Sequence, residues 1–282
     1  ADALDRRAGS AQQRAAPRGN LLERERRLDV MLRTALEADP HCAEAHAAQG
    51  RFHGQFKDEK NARQSLRRAV ELKPGYAEAH NWLTVGYQIS GHIEAAVDSS
   101  RRAAALNPLS VEAVSNSASA LLYSGDPARA LPIVEKVLER EPGYGTATFF
   151  AALAQYELGA FEACLESLVG LELPWTGVGV DTLRALAHAA LGELEAARER
   201  LDVIRDGRHP FDEGLVLAAI GDKADAREAF EKADFSGIEF DVSYWPTVSV
   251  RYLFKPLWAE LSGGEVREEL RRRIDESWGL MS

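Results

Sequence analysis

The chain has 282 residues, 45% of them hydrophobic and 28% charged, which is enough apolar material for a sizeable core and excludes a disordered chain. A formal charge of −10 argues against a general nucleic-acid surface, because phosphate neutralisation needs clustered Lys and Arg. Two cysteines far apart, Cys42 and Cys164, indicate neither a disulfide framework nor a Cys-based zinc site and fit a reduced, cytoplasmic setting; no apolar run approaches the roughly 20 residues of a membrane-spanning helix.

Residues 1–20 read as a linker or poorly ordered arm. Residues 1–33 hold eight Arg against five acids, a local basic excess that fits a solvated linker better than a polyanion-binding arm. A partial leading repeat follows over 21–42. Ala35 and Pro40 mark its second helix, while a first helix near 9–22 is interrupted by Pro17 and Gly19.

From Ala43 a period of 34 residues sets in. Ala43-Glu-Ala-His46 recurs as Ala77-Glu-Ala-His80, and Val111-Glu-Ala-Val114 follows at the same step. Leu72-Lys-Pro74, Leu106-Asn-Pro108 and Arg140-Glu-Pro142 close successive units. Small residues at Ala62, Ala69, Ala96, Ala103 and Ala130, with Val137, recur where two helices would touch. Gly91, Gly125 and Gly159 fall at the turn inside each unit, where a tight helix-to-helix link needs positive φ or close backbone approach. The units so defined are 43–76, 77–110 and 111–144, then a degraded one at 145–177 in which Cys164 and Leu171 replace alanines. Further units at 178–209 and 210–233 keep Gly192 and Gly221. Residues 234–282 break the pattern, with an aromatic stretch over 235–246 and short helices expected near 252–261 and 265–278, forming a C-terminal extension that caps the array.

This set of small and aromatic contacts with a closing proline resembles the tetratricopeptide repeat. The resemblance implies an all-α, right-handed superhelix of antiparallel helix pairs, an α-solenoid, because no single pair can bury both of its apolar faces. It also implies a non-enzymatic scaffold that binds a peptide or partner protein in its concave groove, lined by the first helix of each pair. Carried onto this sequence, the groove positions are Arg51 and Gln55 in the first full repeat and Asn81, Val85 and Gln88 in the second. The third contributes Ser115, Asn116, Ser119 and Tyr123, and the fourth Phe149, Phe150 and Tyr156. Polar groups give way to aromatics along the array, a pattern that suits backbone hydrogen bonds with one or two apolar anchors. Asn81 and Asn116 are the leading candidates, while Trp82 and Phe150 suit core packing equally well. The clamp used by one subclass on the carboxylate of chaperone tails is unmatched, since Ala47, Arg51, Trp82, Glu112 and Asn116 stand at its positions.

No catalytic set is visible. Gly177-Val-Gly179 lacks the remainder of a dinucleotide fingerprint, and His46 and His80, though equivalent in the repeat, belong to no His-Glu-x-x-His helix, so neither a metal nor a cofactor is expected. Cys164 is expected to be a buried small hydrophobe, and the acidic pair Glu193 and Glu195 a solvated one. The chain further resembles the C-terminal repeat region of bacterial multidomain regulators, winged-helix activators and repeat-bearing adenylate cyclases. Asn107-Pro-Leu-Ser110, Ala218-Ala-Ile-Gly-Asp222 and Phe254-Lys-Pro-Leu-Trp258 carry that likeness. It implies a sensory or regulatory module of a larger protein as the alternative role. Neither nucleic acid nor membrane is an expected partner, while solenoid ends permit self-association.

Overall fold

The computed structural model describes residues 18–55, 59–89, 92–173, 179–207 and 209–232. The arm before Arg18, Gly91, the Gly177 end of Gly177-Val-Gly179, the extension 234–282 and the Phe254–Trp258 stretch lie outside the described residues. Thirteen helices and no strand occur among the described residues. They are α1 (Arg18–Ala38), α2 (Ala43–Gln55), α3 (Glu59–Leu72), α4 (Ala77–Ile89), α5 (Ile93–Leu106), α6 (Val111–Ser124) and α7 (Pro127–Arg140). Then follow α8 (Gly145–Glu157), α9 (Phe161–Ser167), α10 (Gly179–Ala190), α11 (Leu194–Asp206), α12 (Pro210–Ala219) and α13 (Lys223–Lys232). Each helix packs on its neighbours in sequence, and α4, α6 and α8 also pack on one another in series, the layering of an α-solenoid.

Two turns, repeated, build this path. Between pairs, Cys42, Tyr76, Ser110 and Tyr144 donate their backbone N–H to the carbonyls of Asp39, Lys73, Asn107 and Glu141 at 3.0–3.2 Å. Pro40, Pro74, Pro108 and Pro142 occupy the second position of each four-residue turn, where the ring's fixed φ is already correct. Within pairs, Gly125, Gly159, Gly192 and Gly221 take φ of 83°, 79°, 78° and 93°. The following residue donates back to the helix, as Asp126 to Leu121 at 2.9 Å and Glu193 to His188 at 2.9 Å, which satisfies carbonyls that the helix end leaves open. His92 donates to Tyr87 in the same way at 2.8 Å.

Small residues then allow close approach. Ala69, Ala96, Ala103 and Ala130 are fully buried, and a Cβ on Gly50 would stand 2.5 Å from Leu66 Cγ and 2.9 Å from the Ala62 carbonyl oxygen. Among the described residues, two clusters gather most of the buried apolar side chains, and Val85, Ala96, Ala103, Ala113 and Tyr123 are buried as well. The smaller cluster joins Ala47, Leu66, Ala69, Ala79 and Leu83, and the larger runs from Ala118 to Phe230 through Val134, Phe150, Leu168, Leu186 and Ile204. Each large side chain in them contributes about 1.5–3 kcal/mol of burial.

Two local departures have visible causes. α1 is a single helix of 21 residues that runs through Gly19, which does not interrupt it, while residues 9–17 of the expected helix near 9–22 lie outside the described residues. Gly in a first turn costs about 1 kcal/mol against Ala, which a long helix absorbs. α9 has seven residues and stops before Gly170, whose φ of 66° is left-handed. Its open end is covered from the next pair: Arg184 donates to the carbonyls of Leu168 and Leu171 while its other amine lies 3.1 Å from Asp181.

Candidate functional site

Helical spacing puts Asn81, Val85 and Gln88 on one face of α4, and Ser115, Ser119 and Tyr123 on one face of α6. Packing of α4 on α6 brings these faces together. Asn116 Nδ2 donates to Asn81 Oδ1 at 2.9 Å, Asn81 Nδ2 donates to Glu112 Oε1 at 3.0 Å, and Gln88 Nε2 donates to Ser119 Oγ at 3.0 Å. A ladder of amides, a hydroxyl and a carboxylate therefore joins two adjacent repeats. Asn81, Gln88, Ser115, Asn116 and Ser119 are all buried, with Thr84, Ser99 and Ser100 nearby in sequence and also buried. Two atoms of the strip, Gln88 Oε1 and Ser115 Oγ, are enclosed without a hydrogen-bond partner. Such atoms carry a desolvation cost of about 1–3 kcal/mol each until something pairs with them.

The remaining groove positions are placed differently. Arg51 stands exposed, its Nη1 3.8 Å from Glu78 Oε1 and its guanidinium carbon 5.4 Å from the Trp82 ring centre. Gln55 ends α2, and its side chain lies outside the described residues. Val85 and Tyr123 are buried. Phe149 and Phe150 are buried in the larger core, their rings 6.2 Å apart. Tyr156 is half-buried 5.4 Å from the Phe161 ring, and burial pushes its hydroxyl up to about 12. Glu78 joins this set as a neighbour not expected there, together with Trp82, expected to suit core packing equally well, and Glu112, expected only as a mismatch to the chaperone-tail clamp. Glu112 stands three and four residues before Ser115 and Asn116 on α6, and that helical spacing is the signal that could have selected it.

The equivalent histidines share one structural task. His46 Nε2 contacts the Pro40 carbonyl and His80 Nε2 the Pro74 carbonyl, both at 3.0 Å, so each ring ties a helix to the turn that precedes it. Cys164 is fully buried, and burial alone pushes its thiol up to about 12. His188 Nδ1 lies 2.7 Å from Glu193. Asp212, buried on the first turn of α12, accepts a hydrogen bond from Thr182 Oγ1 at 2.9 Å, and burial raises its carboxyl to about 6. Burial lowers the neighbouring His209 imidazole. No helix among the described residues is long and apolar enough to cross a membrane.

The fold and its paired turns define an all-α solenoid of short helix pairs. The tetratricopeptide-repeat family model matches residues 31–77 and 115–163. Among solved structures, the chain is similar to PilW, described as a widely conserved type IV pilus biogenesis factor, with 19% identity and a TM-score of 0.57 over 68% of this chain and 90% of that one. It is also similar to YrrB, described as a tetratricopeptide-repeat protein with an unusual peptide-binding site, at 16% identity and a TM-score of 0.49 over 71% and 97%. MamA aligns at 22% identity with a TM-score of 0.43 over 62% and 87%. No curated protein matches the chain significantly.

Proposed function

We propose that the chain is a non-enzymatic interaction scaffold that holds an extended peptide, or an extended segment of a partner protein, in the concave groove across α2, α4, α6 and α8. The observation that carries this reading is the polar strip between α4 and α6, whose Asn81 and Asn116 keep a little exposure and stand beside the exposed Arg51, Glu78 and Glu112. An extended peptide presents N–H and C=O groups at regular intervals, and a groove floor of amides and hydroxyls recognises them without regard to side chain. Arg51 and Glu112, both exposed, supply charge at the rim, and the partly exposed Trp82 and Tyr156 supply apolar contact.

Partner capture by the full chain, compared with the double variant Asn81→Ala and Asn116→Ala, tests the assignment. Loss of two net hydrogen bonds of about 0.5–1.5 kcal/mol each predicts roughly tenfold weaker binding with an unchanged far-ultraviolet spectrum. Undiminished capture by the double variant rejects the groove.

The regulatory-module alternative draws less support. Asn107–Ser110 is one of the four proline turns, and Ala218–Asp222 is one of the glycine turns, so both stretches serve the solenoid whatever domain accompanies it.

A further inference from the structure

A second polar cluster lies away from the groove positions. α3 carries Lys60, Arg63, Arg67 and Arg68 at i, i+3, i+7 and i+8, one stripe extending about 12 Å along the helix axis. These four line a cleft of about 780 Å³. His46, Gln49 and His53 of α2 and Tyr87 and His92 of the next pair complete its walls. Among the described residues, Glu71 is the only carboxylate that lines the cleft, and Arg68 engages it at 3.3 Å.

Among the described residues, no carboxylate forms an ion pair with Lys60, Arg63 or Arg67. Arg63 lays its stem against Gly86 of α4, and its Nη1 is enclosed without a hydrogen-bond partner. Uncompensated cations facing one cleft repel each other and raise a local positive potential, here within a chain of net charge −10. The repeat framework does not require them. One period later the corresponding residues are Glu94, Val97, Arg101 and Arg102, and two periods later Ala128, Leu131, Glu135 and Lys136.

We propose that this cleft binds a condensed phosphate, a linear anion of two or more phosphoryl groups laid along the α3 stripe. Guanidinium groups match phosphoryl oxygens in paired, planar hydrogen bonds, and Arg63 Nη1 gains the acceptor it lacks. The volume falls within the range of small-ligand sites. Among the described residues, Tyr87 is the only large apolar ring on the cleft and no aliphatic side chain lines it, so the walls offer mainly polar and cationic groups, which suits an oxygen-covered ligand.

Calorimetric titration of tripolyphosphate into the full chain at about 150 mM salt, where diffuse surface attraction is screened, tests the site. Saturable binding at one per chain is expected, weakened at least tenfold in Arg63→Met/Arg67→Met and unchanged in Lys136→Met. Should the first variant lose its helical spectrum, Lys60→Met/Arg67→Met, both exposed positions, gives the same reading. ATP separates the sources: binding as tight as tripolyphosphate through the same arginines identifies an organic polyphosphate, and tenfold weaker binding identifies a free condensed phosphate. Absence of saturable heat, equal weakening by Lys136→Met, or tighter binding of a Glu-rich peptide than of tripolyphosphate would overturn the proposal.

Discussion

Asp212→Asn should stabilise the protein at neutral pH and do much less in acid. The carboxyl is buried at the start of α12 with Thr182 Oγ1 as its side-chain donor, and burial raises it from 3.8 to about 6. The folded chain therefore holds this proton more tightly than the unfolded chain. Stability from this group is greatest below about pH 4, falls as pH rises towards 6, and is constant above. At about 1.4 kcal/mol per pH unit the full penalty at neutral pH is about 3 kcal/mol. The amide keeps an oxygen for Thr182 and carries no charge to desolvate, but its own N–H groups need partners, so the net gain at pH 7.5 is about 1–3 kcal/mol. Urea unfolding of both chains at pH 7.5 and 4.5 reads the effect. The advantage of the variant should shrink by about 2 kcal/mol at the lower pH. His209, lowered by burial, costs stability as pH falls, but it does so in both chains and leaves their difference. An advantage independent of pH, or a loss at pH 7.5, would mean that Asp212 is stably ionised and would refute the reasoning.

Three further outcomes are expected. A thiol reagent at pH 8 should label Cys42, which is partly exposed, and reach Cys164 only on unfolding, since that thiol is buried and pushed up to about 12; simultaneous labelling under native conditions would contradict its burial. Gly50→Ala should cost about 1–3 kcal/mol, because its Cβ meets Leu66 Cγ at 2.5 Å and the Ala62 carbonyl at 2.9 Å; thermal unfolding unchanged by the substitution would place α2 farther from α3. His80→Ala should destabilise by about 1–3 kcal/mol and His46→Ala by less than about 1 kcal/mol, since His80 is buried and His46 is not, and equal losses in a melting comparison would remove burial as the reason.

The sequence reveals the backbone turns because their constraints are local. Proline at the second turn position and glycine at the left-handed position each answer to a few neighbouring dihedrals, so Pro74, Pro108, Gly125 and Gly159 mark the path before any contact is known. The groove was less legible. Helical spacing places Asn81 and Asn116 on lining faces, but their bond to each other, and Asn81's bond to Glu112, depends on how far α6 is rotated against α4, which no single helix encodes. Burial of Ser115 and Phe149 has the same origin. α3 is harder still. Its cations look like any solvated face, and only the folded chain reveals that Arg68 has a carboxylate while Arg63 has none among the described residues.

The ladder from Asn116 through Asn81 to Glu112, and from Gln88 to Ser119, joins helices of the second and third repeats that carry Leu83 of the smaller apolar cluster and Ala118 of the larger. Order in a solenoid propagates by nearest-neighbour coupling, and coupling through oily contact is lost steeply once surfaces part. Coupling through hydrogen bonds is exchanged with water at a net cost of about 1 kcal/mol per bond. At the joint between the second and third repeats this polar contact accompanies the buried Ala96, Ala103 and Ala113, so the rotation of α6 against α4 is fixed by bond direction as well as by packing.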